Sequence, residues 1–533
     1  MLSAPDILCA NAQVRIDLAT LRQALVFAFA AGGNVDAFDD AVAGGKLPPS
    51  SWRRDEYARD IYLEELVPRF LGVRIAGSTH PISTRYMMRA VGEPPSDRSD
   101  VEIRRRVLTE VIARPMFRDE LERVYLAVVR LRALLGTARQ PAPRVRRVEI
   151  LRAAREAFEL LAASFEGATS ALSRLRDFGN EAVALPAFGR LTAFLDHDEH
   201  LGSLELRVRI GADGEVRAME IAGVRENTGN QFYVPALRRF FVRLALFLRG
   251  YRTTRAEVAE RLLSEVFSGV EEPVALLFQA MGDIELYLGS LSFRERARER
   301  GLEVALPELV NDGELRLEGL FNPLLLSSSV APVPCDLRAG PGAIVIVTGP
   351  NSGGKTRLLQ AIAIAQLLAQ AGLFAPIRSG RVPSAPGLFV SLFEEPRSDQ
   401  PEGHLGMELL RLRRMFDQVD VGGLVVLDEL CSGTNPSEGE EIARLVLELL
   451  PELGVRAFVT THLLQFAARL AEERSIAGLE FLQVELDVKE RPTYRFAPGV
   501  ARTSLAHKTA ARLGVTREEL LQRIADKKRR ASQ

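Results

Sequence analysis

Cysteine, tryptophan and lysine are scarce in this chain of 533 residues. The three cysteines, Cys9, Cys335 and Cys431, are odd in number and show no metal-ligand spacing, so a dense disulfide framework and a cysteine zinc site are excluded. Buried thiols in a reducing compartment are expected instead. Charge of one sign is missing as well. A net charge of −1 leaves no global basic field, so any nucleic-acid partner must meet a local patch. The opening stretch MLSAPDILCANAQVRID lacks the basic start and apolar core of a secretory signal. Long apolar runs are rare. The uncharged stretch 358–377 is long enough for a bilayer, but Gln360, Gln366 and Gln370 interrupt it and a strand feeds into it. It reads as a buried helix. These absences predict a soluble, cytoplasmic protein with no membrane partner. What is present can build large cores: 47% of residues are hydrophobic. The length suggests roughly three or four domain-sized units.

One motif stands out. GPNSGGKT, residues 349–356, has the spacing of a phosphate-binding loop. Gly349, Gly353 and Gly354 let the backbone curl into a nest of N–H groups, to which Asn351 and Ser352 add theirs; Pro350 belongs to the same binding loop but has no N–H to give. These N–H groups and the start of the following helix attract phosphate oxygens. Lys355 reaches the terminal phosphates, and Thr356 offers a hydroxyl to Mg²⁺. The flanks agree. AIVIVT (343–348) reads as a buried strand, and TRLLQAIAIAQLLAQAG (356–372) as a helix stopped at Gly372.

Hydrolysis needs acids, and GLVVLDEL (423–430) supplies them at a strand end. Asp428 takes the position of a metal-holding aspartate. Glu429, next to it, is placed to accept the proton of an attacking water. A further strand, 457–459, leads to Thr460, Thr461 and His462. A histidine at the C-terminal end of such a strand faces the crevice where ligands sit in open α/β sheets, in reach of a terminal phosphate. Between the two strands, Asn435-Pro436 marks a turn, and Ser437 with Glu440 suggests the start of a helix over 438–450.

This order of motifs resembles the MutS family of DNA repair ATPases. The similarity runs through VTGPNSGGKTRLLQAIAIAQLLAQAGLFAPI (347–377), VVLDELCSGTNPSEG (425–439) and VTTHLLQFAARLAEE (459–473). The GGKT ending, the GTNPSEG loop and PTYRFAPGVARTSLAHKTAARLGV (492–515) look most like the branch that often carries an Smr nuclease domain. The resemblance implies an α/β ABC-type P-loop ATPase domain over 315–504, using ATP and Mg²⁺. A mainly α-helical core and lever domain over 51–314 would precede it, after an N-terminal segment, 1–50. It also implies a C-terminal helix-turn-helix, 505–533, that pairs two copies into a homodimer, and DNA as the partner. Tyr494 falls near a base-stacking position of the family. Three departures accompany these expectations. The mismatch-reading, connector and Smr domains have no counterpart in the sequence. Gly403 and His404 replace a Ser-Thr signature that senses the partner's nucleotide. Ala331 to Val333 occupy the place of an adenine-stacking phenylalanine.

The first half has its own pattern. Val107, Leu108, Val111 and Ile112, then Leu121, Val124, Val128, Leu131 and Leu135, recur at helical spacing, with Pro115 dividing two helices. Leu204, Leu206, Val208 and Ile210 alternate with charged residues, and Asp213-Gly214 supplies a turn, so a small β-hairpin is expected at about 203–224. Its Arg207 and Arg209 point one way, toward phosphates or toward water. His197 and His200 with Asp196 form a metal-like cluster, but it sits before the hairpin, far in sequence from the nucleotide motifs, and a polar loop explains it. The main functional reading is an ATP-driven DNA-binding clamp of the mismatch repair and recombination type. Two others stay open: a MutS-fold ATPase acting on ribosomes or RNA, and an ABC ATPase of transport or chromosome-organising type. The last class carries a Leu-Ser-Gly-Gly-Gln signature that this sequence lacks.

Overall fold

A computed structural model describes residues 2–33, 35–137, 143–200, 204–210, 216–224, 263–329, 331–392, 404–430, 435–502 and 515–531. The chain divides into two compact units. One holds residues 1–47, 75–87 and 102–288, and the other 48–74, 88–101 and 289–533. The sequence-based boundary at 315 therefore does not follow the units. Residues 48–74 and 88–101 fall in the unit that holds the 349–356 loop, and residues 1–47 fall in the helical unit.

The first unit is helical. Pro115 opens the helix Pro115–Gly136 directly after Arg98–Ala113, because proline lacks an N–H and is tolerated only in the first turn. Leu121, Val124, Val128, Leu131 and Leu135 are buried as their spacing requires, whereas Ile112, one residue from its helix end, is 37% exposed. The helices Pro143–Ala163 and Leu172–Ala184 continue the stack. Residues 196–200, expected as a loop, instead close the helix Pro186–His200. That helix runs almost to the strand Leu204–Ile210, which pairs antiparallel with Val216–Val224. The Asp213-Gly214 turn and the side chains of Arg207 and Arg209 lie outside the described residues.

The N-terminal stretch is anchored by a buried charge. Arg15 donates to Asp283, and its Nη1 meets the Tyr86 hydroxyl at 3.0 Å. Tyr86 in turn donates to Asp283 at 2.6 Å, and Asp6 lies 3.4 Å from Arg15 Nε. Burial pushes the Asp283 carboxyl up, and the Arg15 guanidinium opposes that shift. Removing one member of such a cluster strands its partner without water, which costs several kcal/mol, about 3–5. Asp283 sits on the helix Glu271–Glu299, which is long and apolar enough to cross a membrane by length and composition. Its most apolar window is entirely buried within the protein.

The second unit is built on a six-stranded sheet. Its strand order is Leu388–Ser391, Leu424–Leu427, Arg456–Thr460, Ile344–Thr348, Leu479–Leu486 and Pro492–Pro498. The first five are parallel, and the sixth returns antiparallel. The parallel strands read as unbroken apolar runs because both faces are covered. Ile344, Ile346, Val425, Leu427, Ala457 and Val459 pack on the helices Pro436–Leu449 and Leu464–Glu473. The alternate residues Val345, Val347, Val426 and Phe458 are fully buried on the other face, toward the helix Lys355–Gln370. Each such side chain contributes roughly 1.5–3 kcal/mol of burial. A smaller sheet orders Glu308–Val310, Ser379–Pro383, Leu315–Leu320 and Cys335–Ala339.

A strap from the N-terminal half closes this unit. Trp52, the chain's one tryptophan, is buried and donates its indole N–H to the Ala385 carbonyl at 2.9 Å. Asp60 accepts from the Leu392 N–H at 2.6 Å, at the end of the edge strand. The Trp52→Ala variant is expected to lose about 3–5 kcal/mol through the vacated indole volume. Trp52→Phe, which loses chiefly the hydrogen bond, should lose about 1 kcal/mol. Urea unfolding followed by circular dichroism measures both.

Candidate functional site

The central strand Ile344–Thr348 ends where its carbonyls and N–H groups open into the loop 349–354. Gly349 adopts φ 141°, and a Cβ there would stand 2.6 Å from Val484 Cγ2. Only glycine tolerates both the backbone and the approach. Gly354 adopts φ 90° at the N-cap of Lys355–Gln370, and the Tyr494 ring would lie 3.3 Å from its absent Cβ. Lys355 is 6% exposed and donates to the carbonyls of Gly349 at 3.0 Å and Pro350 at 3.3 Å. Burial pulls its pKa down, and the charges of Glu429 and Asp428 oppose that shift.

The acids meet the loop across the sheet. Asp428 follows the strand Leu424–Leu427, one strand removed from the loop strand. The Thr356 hydroxyl donates to Asp428 Oδ2 at 2.5 Å, and the Thr460 hydroxyl donates to Asp428 Oδ1. Thr460 also accepts the Glu429 N–H at 2.8 Å. Glu429 has φ 51°, a left-handed conformation unusual for a side chain of its size. Arg411 holds the far side: its guanidinium donates to the Ser391 hydroxyl and carbonyl, and at 3.2 Å to the Asp428 carbonyl.

A cavity of about 630 Å³ opens over the loop, within the range of small-molecule sites. Asn351, Ser352, Gly353, Gly354, Lys355, Thr356, Glu429 and Tyr494 line it, as the sequence motifs require. Gly349 and Pro350 face the Lys355 amine from behind, and Asp428 stands behind Thr356. Ala331, Pro332 and Val333 form part of the wall in place of an aromatic ring. His462 is not brought in. It follows the strand Arg456–Thr460, but its side chain is exposed and it is not among the lining residues. Gly403, Cys431 and the side chain of His404 lie outside the described residues.

Sequence reasoning missed several members of this site. Phe496 lines the cavity two residues beyond Tyr494, on the strand Pro492–Pro498, and the period of two makes that legible in retrospect. Asn322 is buried, and its amide donates to the Arg357 carbonyl at 3.0 Å and to Gln360 Oε1 at 3.2 Å. No local spacing points to it, nor to Arg411.

Mg²⁺ takes oxygen donors and keeps several for phosphate and water. The Thr356 hydroxyl and the Asp428 carboxylate, already in contact, fit that demand. Among the described residues no cluster of three or more His, Cys, Asp or Glu could hold a metal by itself. This pair of oxygen donors suits a cation that shares its remaining coordination with a phosphate ligand.

Residues 345–530 match the family model described as MutS domain V. Among curated proteins, the chain is similar to the "Endonuclease MutS2" of Thermomicrobium roseum, 32% identical over 277 residues, covering 50% of this chain and 34% of that protein. The protein of the same name from Caldanaerobacter subterraneus subsp. tengcongensis is 30% identical over 279 residues, covering 51% and 34%. The Geobacillus thermodenitrificans protein of that name is 26% identical over 407 residues, covering 66% and 50%. The matched region thus spans a third to a half of these relatives.

Lys355→Ala is expected to abolish nucleotide binding, since the loop N–H groups alone do not replace a charge at the terminal phosphates. Titration with a fluorescent ATP analogue reads this, and near-normal affinity would remove the loop from its phosphate-binding role.

Proposed function

Because the chain belongs to the MutS family, we propose that it is an ATPase whose nucleotide state governs its grip on DNA. The observation that carries the ATPase reading is the contact of Thr356 with Asp428 at the floor of a cavity that Glu429 also lines. Bound Mg²⁺ would neutralise charge on the terminal phosphates of ATP. Thr356 and Asp428 are the residues that hold it. Lys355 leaves its own loop carbonyls to meet the β and γ phosphates. Glu429 orients water and accepts its proton. Tyr494 and Phe496 flank the base. His462 serves as a γ-phosphate donor, for which its exposed side chain must turn toward the cavity.

The DNA partner, the clamp and the pairing of two copies rest on the family, not on charge, and the cytoplasm is the compartment proposed. The pairing has one support in the chain itself. Thr516 and Glu519 cap the helix Arg517–Ala531 reciprocally: Thr516 Oγ1 donates to Glu519 Oε2 at 2.9 Å, and the Glu519 N–H donates back at 3.3 Å. The apolar Val515, Leu520, Leu521 and Ile524 of this segment stay 42–53% exposed, a face suited to a second copy. The first part of the expected helix-turn-helix, residues 505–514, lies outside the described residues.

Glu429→Gln should bind ATP and hydrolyse it about 10²-fold more slowly or worse, as loss of a general base requires. Steady-state phosphate release measures it, and unchanged turnover removes Glu429 from that role. The protein is also expected to bind matched and singly mismatched DNA alike: the Phe-x-Glu that imitates a mismatch wedge, Phe293 to Glu295, lies inside the helix Glu271–Glu299, where Phe293 is buried. Gel shifts with matched, mismatched and branched duplexes check this, and ribosome co-sedimentation tests the ribosomal alternative.

A further inference from the structure

Thr460 lies at the end of its strand with no exposed surface. Its hydroxyl has two uses, and both concern the acids on the neighbouring strand. It donates to Asp428 Oδ1 and accepts the Glu429 N–H at 2.8 Å. Its carbonyl accepts the Leu430 N–H at 3.3 Å. One residue therefore touches three consecutive residues of the facing chain. The reason lies in the sheet. Parallel pairing between these strands ends at Leu427 and Val459. Two residues later Glu429 turns left-handed, φ 51°, and leaves the ladder. Its N–H would be buried without a strand partner, and the Thr460 hydroxyl provides one. The same oxygen holds the second carboxylate oxygen of Asp428, while Thr356 holds the first at 2.5 Å.

We propose that Thr460 is a positioning residue for ATP hydrolysis: it fixes the carboxylate of Asp428 for the metal and the backbone turn that aims Glu429 into the cavity. The inference rests on the ATPase reading given above. A hydroxyl is needed, not merely a branched side chain, because the group must donate and accept at once. Thr460→Val keeps the shape and removes both bonds. Thr460→Ser keeps both bonds and removes a methyl.

Loss of a group behind a metal ligand lowers metal affinity or activity about 10- to 100-fold. Thr460→Val is therefore expected to lose about tenfold or more in kcat for Mg·ATP, with KM within about threefold of wild type. Mn²⁺ binding to its ADP complex, followed by paramagnetic resonance, should weaken about tenfold. Thr460→Ser should return both quantities to within about threefold of wild type. Thermal unfolding of each variant separates positioning from folding: a valine variant that melts near wild type yet turns over slowly supports the proposal. Wild-type kcat and Mn²⁺ affinity in Thr460→Val would overturn it. So would a serine variant as slow as the valine one, since the hydroxyl would then not be the working part. If the wild-type protein hydrolyses no ATP, the ATPase reading fails and takes this inference with it. If the wild type hydrolyses ATP and the valine variant matches it, this inference alone fails.

Discussion

The hydrogen bond between Thr356 and Asp428 sets the terms for the rest of the second unit. Two groups 72 positions apart in the chain must come within 2.5 Å. A parallel sheet does this cheaply, because every strand points its C-terminal end the same way and the loops gather at one edge. The strand order puts Arg456–Thr460 between the loop strand and the acid strand. The acids therefore reach the loop diagonally, over the end of an intervening strand. That geometry accounts for a small hydroxylated residue at the end of that middle strand: it lies under the contact and satisfies the groups that the diagonal leaves open.

The same contact explains where glycine and strain are placed. The loop can approach Val484 on the neighbouring strand only because Gly349 and Gly353 carry no Cβ. Glu429 and Ser352 adopt positive φ without being glycine, at a cost of roughly 1–3 kcal/mol each. Such conformations persist only where surrounding bonds overdetermine them. For Glu429 those bonds are on view: its own N–H to Thr460, the Asp428 N–H to the Ser391 carbonyl at 3.0 Å, and Arg411 on the carbonyl of Asp428. Strain is thus collected around the cavity, where Tyr494 also adopts a positive φ, 61°.

How much of this was legible follows from the range of each interaction. The phosphate loop and its acids were readable because a short stretch of backbone carries the chemistry: glycines, lysine and threonine at fixed offsets, then an apolar strand ending in Asp428 and Glu429. The strap was not. Nothing near Trp52 or Asp60 hints that they meet Ala385 and Leu392, more than 330 positions away. Helical periodicity reported that residues 100–135 form helices, but it carries no information about which unit a neighbouring segment joins. The cluster at 196–200 failed differently. Its run of polar residues reads as a loop, yet the helix begun at Pro186 carries through it.

The glutamines of the loop helix show how one signal can be read correctly and still underused. Gln360, Gln366 and Gln370 interrupt an apolar run and so argue against a membrane span. In the fold each is buried, and each amide must find partners, because a stranded buried amide costs free energy. Gln360 donates to the Asp60 carbonyl at 3.0 Å and accepts from Asn322 and Arg357. Gln366 donates to the Pro383 carbonyl at 2.9 Å, and Gln370 exchanges bonds with Ala385, each at 3.3 Å. Ala385 is also the acceptor for Trp52. The helix that starts at Lys355 is therefore tied by hydrogen bonds, not by apolar contact alone, to the strap, the small sheet and the cavity wall. Apolar packing is non-directional, whereas these bonds fix rotation and register. A helix whose first turn must present Lys355 and Thr356 to phosphates within tenths of an ångström needs that kind of fixing, and polar residues inside an otherwise apolar run are how the sequence encodes it.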